Sequence, residues 1–425
     1  MRKAGAIFIV ALFALAFVGV TYAQSDIDML RKELRSLQEK VSALEVMQKD
    51  PPQYITSYKG DLIKIGGKVE INYHDPQDSD SDPNPGFNEI NGRARFMMDE
   101  IRLQAKVKAS KNISAKIKVD FEADNEVNLD EAYMTIEDFA PYESVVQVGL
   151  QDPFYADALE YYTQTSPLAR TAYWKYPFLG VQYFAKADPF YFRTFVTNGY
   201  VLDDKNVGKQ SGDVNGILAD GNTMDADVGN INTDNHFDFS VGLGYHNYLG
   251  ELGDIDLLVW GYFGKVSNTD IDAWLDGTVF IDRPEESGDF IQGSQTKRRL
   301  GVNLAYAKDA LEFYAQYIRS QDSYLRRYAW TLQTNYRVDV GMKYLDAVMP
   351  LYRYSYYGVG ERANVGSVAL DEYPQSWNRI QHTIALQNFI TDKVMLSLEY
   401  NINKEKTGGD EPRNNEFLAQ LRYKF

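Results

Sequence analysis

Cysteine is absent from this 425-residue chain, and histidine and proline are scarce. Without a thiol there is no disulfide framework, no thiolate metal site and no cysteine nucleophile. The four histidines form no zinc-binding pair, and the chain has neither a glycine-elbow serine nor a phosphate-cradling glycine loop. These absences argue against catalysis, and we expect no enzymatic activity, no bound metal and no other cofactor.

Basic residues are the minority, with 44 Lys and Arg against 60 Asp and Glu, for a formal charge of −16. Binding to nucleic acid depends on neutralising phosphates with a basic surface, so the balance argues against a nucleic-acid partner. Within the three long acidic segments 75–92, 199–235 and 268–296 stand 19 acidic and three basic residues, which accounts for the whole excess. The remainder of the chain is neutral in total.

Long apolar runs are also missing, except for one at the start. Arg2 and Lys3 precede an apolar stretch that ends at Val20, and small residues around Ala23 suit a signal peptidase. We expect residues 1–23 to be a cleaved signal peptide; a retained membrane helix is the alternative. Beyond residue 23 no run approaches the roughly 20 apolar residues of a spanning helix, so a membrane role would need strands or an anchor.

A heptad pattern follows the signal peptide. Apolar residues recur at spacings of three and four, and charged residues fill the positions between them: Ile27, Leu30, Leu34, Leu37, Val41 and Leu44. The pattern predicts a coiled-coil segment over residues 24–49, with a single amphipathic helix as the alternative. Asp50-Pro51-Pro52 ends the helix, and residues 50–61 form a linker.

From residue 62 to the end, apolar and polar side chains alternate, as in a sheet with one apolar and one wet face. In one segment Val394, Leu396 and Leu398 oppose Ser397 and Glu399. Sixteen such strands are predicted, near 62–74, 93–108, 113–124, 129–138, 143–151, 177–187, 190–198, 236–247, 254–266, 297–307, 310–319, 324–338, 344–358, 377–389, 393–404 and 414–425.

The connections between these strands predict how the sheet closes. Every second connection is short and most of the others are long, which is typical of an outer-membrane barrel. The 31 tyrosines suit the girdles at the membrane interfaces. We therefore predict an all-β fold, a 16-stranded antiparallel transmembrane β-barrel over residues 62–425 in the bacterial outer membrane, preceded by a short α-helical coiled coil. A secreted sandwich or solenoid is the alternative.

Strand parity assigns the charges to the two faces of the barrel. The face opposite the apolar residues collects seventeen basic and nine acidic residues, and a net-basic channel wall concentrates small anions. For any one residue, pairing with a neighbouring acid is the alternative. The basic residues selected as pore-lining by this parity are Arg102, Lys106, Lys116, Lys118, Arg193, Arg299, Arg327, Arg337, Arg353 and Arg379.

Four segments resemble the phosphate- and pyrophosphate-selective porins, in the same order and at similar spacing. They are LIKIGGKVEINY at 62–73, LDEAYMT at 129–135, VQVGLQDPF at 146–154 and LYRY at 351–354. The final strand, ending at Phe425, is similar to the C-terminal signature strand of outer-membrane proteins. The resemblance implies a homotrimer of sixteen-stranded barrels with an inward-folded third loop and a ladder of arginines.

By position, the resemblance implies that residues 152–176 are the constriction loop, that Arg170 is its pore-lining cation and that Arg353 is a wall arginine. The chain departs from the family where Gly149 is followed by Leu150 and Gln151, and where Asp152, Asp157 and Glu160 make the loop acidic. Related trimeric porins with an N-terminal coiled coil are associated with dicarboxylates.

The sequence therefore predicts a porin for passive diffusion of small anionic solutes, with phosphate as one candidate. The partners expected are further copies of the chain, outer-membrane lipid, lipopolysaccharide and the small anions. A dicarboxylate or general-diffusion porin is the first alternative. The second is a structural protein that tethers the envelope through its coiled coil, although that helix spans only about 30 Å.

Overall fold

A computed structural model describes residues 54–56, 62–76, 94–121, 127–155, 163–165, 167–169, 178–198, 237–265, 296–322, 325–359, 378–406 and 415–425. Alternating sequence patterns form β-strands throughout these ranges. They are β1 Tyr54–Thr56, β2 Leu62–Pro76, β3 Arg95–Lys108, β4 Ile113–Phe121, β5 Val127–Glu137, β6 Val145–Gln151, β7 Phe178–Ala187, β8 Phe190–Thr197, β9 Asp238–Tyr248, β10 Asp254–Lys265, β11 Thr296–Lys308, β12 Leu311–Asp322, β13 Leu325–Tyr336, β14 Val338–Met342, β15 Leu345–Val359, β16 Asn378–Phe389, β17 Val394–Lys406 and β18 Glu416–Lys424.

Sixteen of these strands, β2 to β13 and β15 to β18, form one closed antiparallel barrel. Each strand pairs with its neighbour in sequence, β13 pairs with β15, and β18 returns to pair with β2. At this seam Leu421 lies opposite Ile71, and backbone hydrogen bonds join Phe425 to Gly67 at 3.0 and 3.1 Å. Closure leaves no open sheet edge, which is the condition for placing strands in a bilayer.

Burial alternates along the strands as the sequence pattern requires. In β11, Lys297, Arg299 and Asn303 are buried on the inner face, while Leu300 and Val302 are exposed on the outer face at 44 and 37%. The outer face carries many other exposed apolar side chains, including Val259, Phe263, Tyr317 and Leu332. A closed barrel with a wet inside and an apolar outside has a surface suited to lipid.

The sixteen predicted strands are confirmed, and their ends differ from the predicted ones by at most about three residues. The sequence did not predict β14, a five-residue strand that pairs with β15 beyond the end of β13. β1 was not predicted either. The predictions for residues 1–23 and 24–49 lie outside the described residues. In the described part of the chain, no helix has the length and hydropathy needed to cross a membrane.

Two bulges change the register on one side of the barrel. The pairing of β2 with β3 shifts between Glu70 and Ile71, and that of β4 with β5 shifts between Lys118 and Val119. A bulge inserts one extra residue into a strand, so two neighbouring side chains share a face instead of alternating. Both bulges bring additional acidic residues to the inner face, as described below.

Candidate functional site

The segment that follows β6 folds into the barrel. Phe154, Tyr155, Leu168 and Ala169 are at most 1% exposed and belong to one apolar cluster. The cluster also contains inner-face residues of six strands, β7, β8, β10, β12, β13 and β15: Phe178, Tyr191, Phe195, Leu258, Trp260, Tyr262, Ile318, Ala329 and Tyr357. An apolar core in the lumen explains why the loop stays inside, because its own apolar side chains are removed from water there.

Tyr155 fixes the first part of this loop to the wall. Its ring stacks on Trp260 of β10, with 4.3 Å between ring centroids and 12° between planes. Its carbonyl oxygen accepts a hydrogen bond of 3.2 Å from Asn303 Nδ2, and Trp260 Nε1 donates to Asn303 Oδ1 at 3.3 Å. Stacking and hydrogen bonding on the same pair of strands give this anchor a defined geometry.

Arg353 of β15 holds a second part of the loop, which lies several strands further round the barrel. Its NH1 donates to Thr163 Oγ1 at 2.6 Å, and its NH2 donates to the carbonyl oxygen of Thr165 at 2.7 Å. NH2 also donates to Thr383 Oγ1 of β16 at 3.1 Å. The planar guanidinium therefore joins the loop to the wall through several directed bonds.

Glu399 and Asn401 of β17 complete this second anchor. The Glu399 carboxylate accepts hydrogen bonds from the backbone N–H groups of Gln164 at 3.0 Å and Thr165 at 3.3 Å. Asn401 Nδ2 donates to Thr165 Oγ1 at 2.6 Å. The described loop residues after β6 thus contact β10 and β11 and then β15 and β17. The described parts of the loop therefore lie inside the lumen and narrow it.

Charged side chains on the inner face form two different groups. On β11, β12, β13, β15 and β16 the charged inner-face side chains that the structure describes are five basic residues and one acid, Glu312: the bases are Lys297, Arg299, Arg327, Arg353 and Arg379. One end of the barrel carries most of the long connections. Arg299, Arg327 and Arg379 lie within four residues of the ends of their strands on that side, and Arg353 lies deeper. We call Arg299, Arg327, Arg353 and Arg379 the arginine row.

The opposite side of the barrel, from β18 to β5, carries a mixed-charge cluster. Its five bases are Lys68, Arg102, Lys116, Lys118 and Arg422, and its six acids are Glu70, Asp99, Glu100, Asp120, Asp130 and Glu131. Arg102 makes a two-pronged contact with Asp120 at 2.6 and 2.7 Å. Lys116 reaches Glu131 at 2.7 Å.

The sequence predicted seventeen basic and nine acidic residues on the lumen face, and the structure shows that this count of acids is too low. Glu100 at the first bulge and Asp130 at the second contact inner-face cations, and Asp99 accepts a hydrogen bond of 3.2 Å from Nε2 of the inner-face Gln420. Strict alternation places Asp99 and Asp130 outside. Asp256 of β10 also faces inward and accepts a hydrogen bond of 2.6 Å from the Tyr191 hydroxyl. For Arg102, Lys116 and Lys118, the alternative of pairing with acids is what the structure shows.

Arg193 and Lys116 border a lumen cavity of about 430 Å³ on the turn side of the loop. The other residues that line it include Glu131, Gln147, Gln151, Asp152 and Gln182. The Arg193 guanidinium lies over the rings of Phe184 and Tyr191, at 5.2 and 5.7 Å from their centroids. This cavity is mostly polar, as required of a water-filled passage.

The remaining predicted pore residues lie elsewhere. Lys106 is exposed near the turn end of β3, in register with Lys64 and Lys116. Arg337 is in the turn after β13, where it pairs with Asp339 at 3.0 Å and lies over the Phe389 ring, so it belongs to the rim. Arg170 lies outside the described residues.

The sequence reasoning missed the inner-face residues that hold the loop. Trp260 and Tyr262 alternate with the outward Val259, Gly261 and Phe263, so both faces of β10 are apolar or aromatic and the strand does not look half-wet. In a barrel with a polar lumen, a strand with an apolar inner face indicates that another segment of the chain packs against it inside the barrel. His74 of β2 is buried, and its Nε2 lies 3.0 Å from Oε2 of Glu416.

Comparison with known proteins gives structural neighbours alone. No family model and no curated sequence matches the chain. The outer-membrane channel DcaP of Acinetobacter baumannii superposes with a TM-score of 0.56 at 11% identity, covering 87% of this chain and 99% of that one. OprB of Pseudomonas putida gives 0.55 at 9%, covering 86 and 94%. The anion-selective porin of Comamonas acidovorans gives 0.52 at 10%, covering 86 and 100%.

These neighbours share the fold at very low identity. The superpositions cover nearly the whole length of these neighbours, and the described barrel of this chain has the closure, the apolar outer face and the lumen that such a fold requires. The protein resides in the bacterial outer membrane and has the fold of the outer-membrane porins.

Proposed function

We propose that the protein is a passive diffusion channel of the outer membrane for small anionic solutes. The observation that carries this proposal is the arginine row on β11, β13, β15 and β16, inside a barrel that the loop narrows. Positive side chains grouped on one wall of a narrow, water-filled passage raise the local concentration of anions. Several dispersed cations suit conduction, because a solute must enter readily and leave readily.

The two sides of the lumen imply a modest preference for anions. The mixed-charge cluster nearly cancels itself, so it orders water and solute dipoles without a strong net field. The arginine row supplies the bias. We infer that phosphate and small dicarboxylates both pass and that discrimination between them is weak, because no compact pocket surrounds a single anion among the described residues.

Zero-current potentials in planar bilayers under a tenfold KCl gradient test this function. The wild type is expected to prefer chloride, and the triple variant R299Q/R327Q/R379Q, which leaves the loop anchor Arg353 intact, is expected to lose most of that preference. The matched control R298Q/R319Q/R326Q removes three arginines from the outer face of β11, β12 and β13. It is expected to leave the zero-current potential unchanged. A wild type that prefers potassium, or equal potentials for wild type and the inner-face variant, would overturn the proposal.

Competition among anions addresses the solute. Phosphate, sulfate and a small dicarboxylate such as succinate, each added against chloride current, are expected to reduce the current to similar degrees. A strong block by phosphate alone would instead favour a phosphate-selective channel.

We further propose that the barrel assembles as a homotrimer. OmpT of Vibrio cholerae, described as a trimer form, superposes with a TM-score of 0.51 at 10% identity, covering 86% of this chain and 99% of that one. Native mass spectrometry of protein extracted in mild detergent is expected to give a mass of three chains.

A further inference from the structure

Four basic side chains stand on the outer face of the barrel, where apolar residues are otherwise the rule. Lys265, Arg298, Arg319 and Arg326 are exposed and belong to four adjacent strands, β10 to β13. They alternate with inner-face neighbours that are buried: Lys297, Arg299, Ser320 and Arg327 are 1 to 2% exposed. We call these four residues the outer basic cluster.

The strand register brings the cluster together. Arg298 lies opposite Gln321, and Gln321 lies opposite Arg326, so the two arginines are two strands apart in one row. With about 4.8 Å between neighbouring strands, their Cα atoms are separated by about 10 Å. Arg319 lies opposite Leu300 and Tyr328, one step deeper on the strand between them, and Lys265 lies on the other side of β11.

The described residues of this part of the surface include no acidic side chain. Among the described outer-face positions of β9 to β13, none is Asp or Glu. The side chains of Arg298, Arg319 and Arg326 make no ion pair with any described residue. Four outward-facing cations, with no acidic side chain beside them among the residues that the structure describes, are complementary to an anionic partner outside the barrel.

The position of the cluster along the strands indicates at which depth of the membrane this partner would lie. All four residues lie at the end of the barrel that carries most of the long connections, which is the outer side in barrels of this kind, and below them the outer face is apolar. On β11 the outward residues after Arg298 are Leu300, Val302, Leu304 and Tyr306, and the next outward residue is Lys308. Ten residues of a strand tilted by about 40° rise about 26 Å, close to the roughly 25 Å apolar band of such barrels.

The cluster therefore lies at the level of the lipid headgroups in the outer leaflet. A lipid-facing arginine is strongly unfavourable at the middle of the bilayer and is tolerated at its edge, so this position is where outward cations are allowed. Arginine forks match phosphate oxygens in two-pronged geometry, and contacts of this kind are among the stronger hydrogen bonds.

We propose that the outer basic cluster binds the phosphorylated headgroup of an outer-leaflet glycolipid of the lipid A type. The acyl chains of that lipid would lie against the apolar band formed by Val259, Leu300, Val302 and Leu332. The phosphates would contact Arg298 and Arg326 in the upper row, with Arg319 below. This site is separate from the pore, because every one of its residues is on the opposite face of the sheet from the arginine row.

The test measures binding of purified bisphosphorylated lipid A to the detergent-solubilised full-length protein by native mass spectrometry. The variant R298Q/R319Q/R326Q is expected to bind about tenfold more weakly, since several charge-assisted contacts are lost. The inner-face variant R299Q/R327Q/R379Q removes the same number of arginines and is expected to bind like wild type. Both must show the gel-mobility shift of a folded barrel, and the single substitution R319Q, expected to give a smaller loss, serves if the triple variant fails to fold.

Two further arms separate the sources of phosphate and the other possible occupants. Monophosphorylated lipid A is expected to bind wild type more weakly than the bisphosphorylated form, and millimolar inorganic phosphate is expected not to displace the lipid. Displacement by free phosphate would overturn the lipid assignment. Equal lipid binding by wild type and R298Q/R319Q/R326Q would overturn the site, as would a loss of oligomers in that variant without loss of lipid, since the surface would then contact a second copy.

Discussion

Phe154 of the loop and Gly242 of β9 share one space inside the barrel. A Cβ atom at Gly242 would lie 2.7 Å from Cε2 of Phe154, closer than the two atoms can approach. Glycine weakens a strand interior, and it is used where another group comes close to the backbone. The inner face of β9 therefore has a gap that receives the loop, and Gly244 makes a similar gap for the Tyr191 ring.

The substitution Gly242→Val is expected to displace Phe154 and loosen the start of the loop. Single-channel conductance should rise and the open-channel current should become noisier. Gly261→Val is the matched control, because its Cβ would be equally close to a ring, that of Phe263 at 2.8 Å, but on the lipid side. Unchanged conductance in Gly242→Val, with the barrel still folded, would show that the loop is held without Phe154.

Arg353 combines a charge with the anchoring of Thr163 and Thr165, and two substitutions separate these roles. Arg353→Lys keeps the charge but loses the fork that reaches both threonines, and Arg353→Ala loses both. Conductance is expected to rise in both variants, whereas anion preference should fall clearly only in Arg353→Ala. Thr163→Val, which removes one acceptor, should raise conductance slightly and leave the preference unchanged. A constant conductance in all three would contradict the anchoring role.

Trp260 is expected to contribute strongly to stability through its stack on Tyr155. Trp260→Ala should lower the free energy of unfolding by about 3–5 kcal/mol, the usual cost of deleting a buried large aromatic side chain. Trp260→Phe keeps part of the ring contact and loses the hydrogen bond to Asn303, so its effect should be smaller. Reversible urea unfolding in lipid vesicles measures both, with the outward-facing Trp330→Phe as control.

Removing one acid from the mixed-charge cluster should increase anion preference. Glu100 lies 2.5 Å from Lys68 and 2.6 Å from Arg102, so Glu100→Gln removes one negative charge from beside two cations of the lumen. In 0.1 M salt the zero-current potential should shift toward the equilibrium potential of chloride. In 1 M salt the shift should shrink, because the screening length falls from about 10 to about 3 Å.

Glu137→Gln is the control for this experiment, because Glu137 is exposed at the turn end of β5. It is expected to change the potential little at either salt concentration. A shift in Glu137→Gln as large as that in Glu100→Gln would indicate that charge at the turn-side entrance, and not the cluster, sets the preference.

The strands of the barrel were predictable because a half-wet sheet imposes a period of two on its sequence. Most inner-face cations could be assigned from parity for the same reason: Arg298 and Arg299 are neighbours in sequence and lie on opposite faces, as parity requires. Parity fails where a bulge adds a residue. Asp99 and Glu100 both contact inner-face partners, and nothing in their local sequence announces the bulge.

The interior of the barrel was less predictable, because it depends on contacts between residues far apart in the chain. Arg353 and Thr163 are 190 positions apart, and their hydrogen bond cannot be inferred from either segment alone. The resemblance indicated a loop in the lumen, but the aromatic residues that hold it appear in sequence as ordinary strand residues. The ion pairs of Arg102 and Lys118 likewise became visible only when neighbouring strands were placed in register.

The loop that narrows the lumen is attached at two distant places on the wall, through Tyr155 to β10 and β11 and through Thr163 and Thr165 to β15 and β17. The loop therefore links two separated parts of the barrel wall. A hollow cylinder under lateral pressure from lipid deforms most easily by flattening into an ellipse, and a tie between separated parts of its wall opposes that mode. Any change that frees either attachment therefore softens the whole cylinder as well as widening its bore.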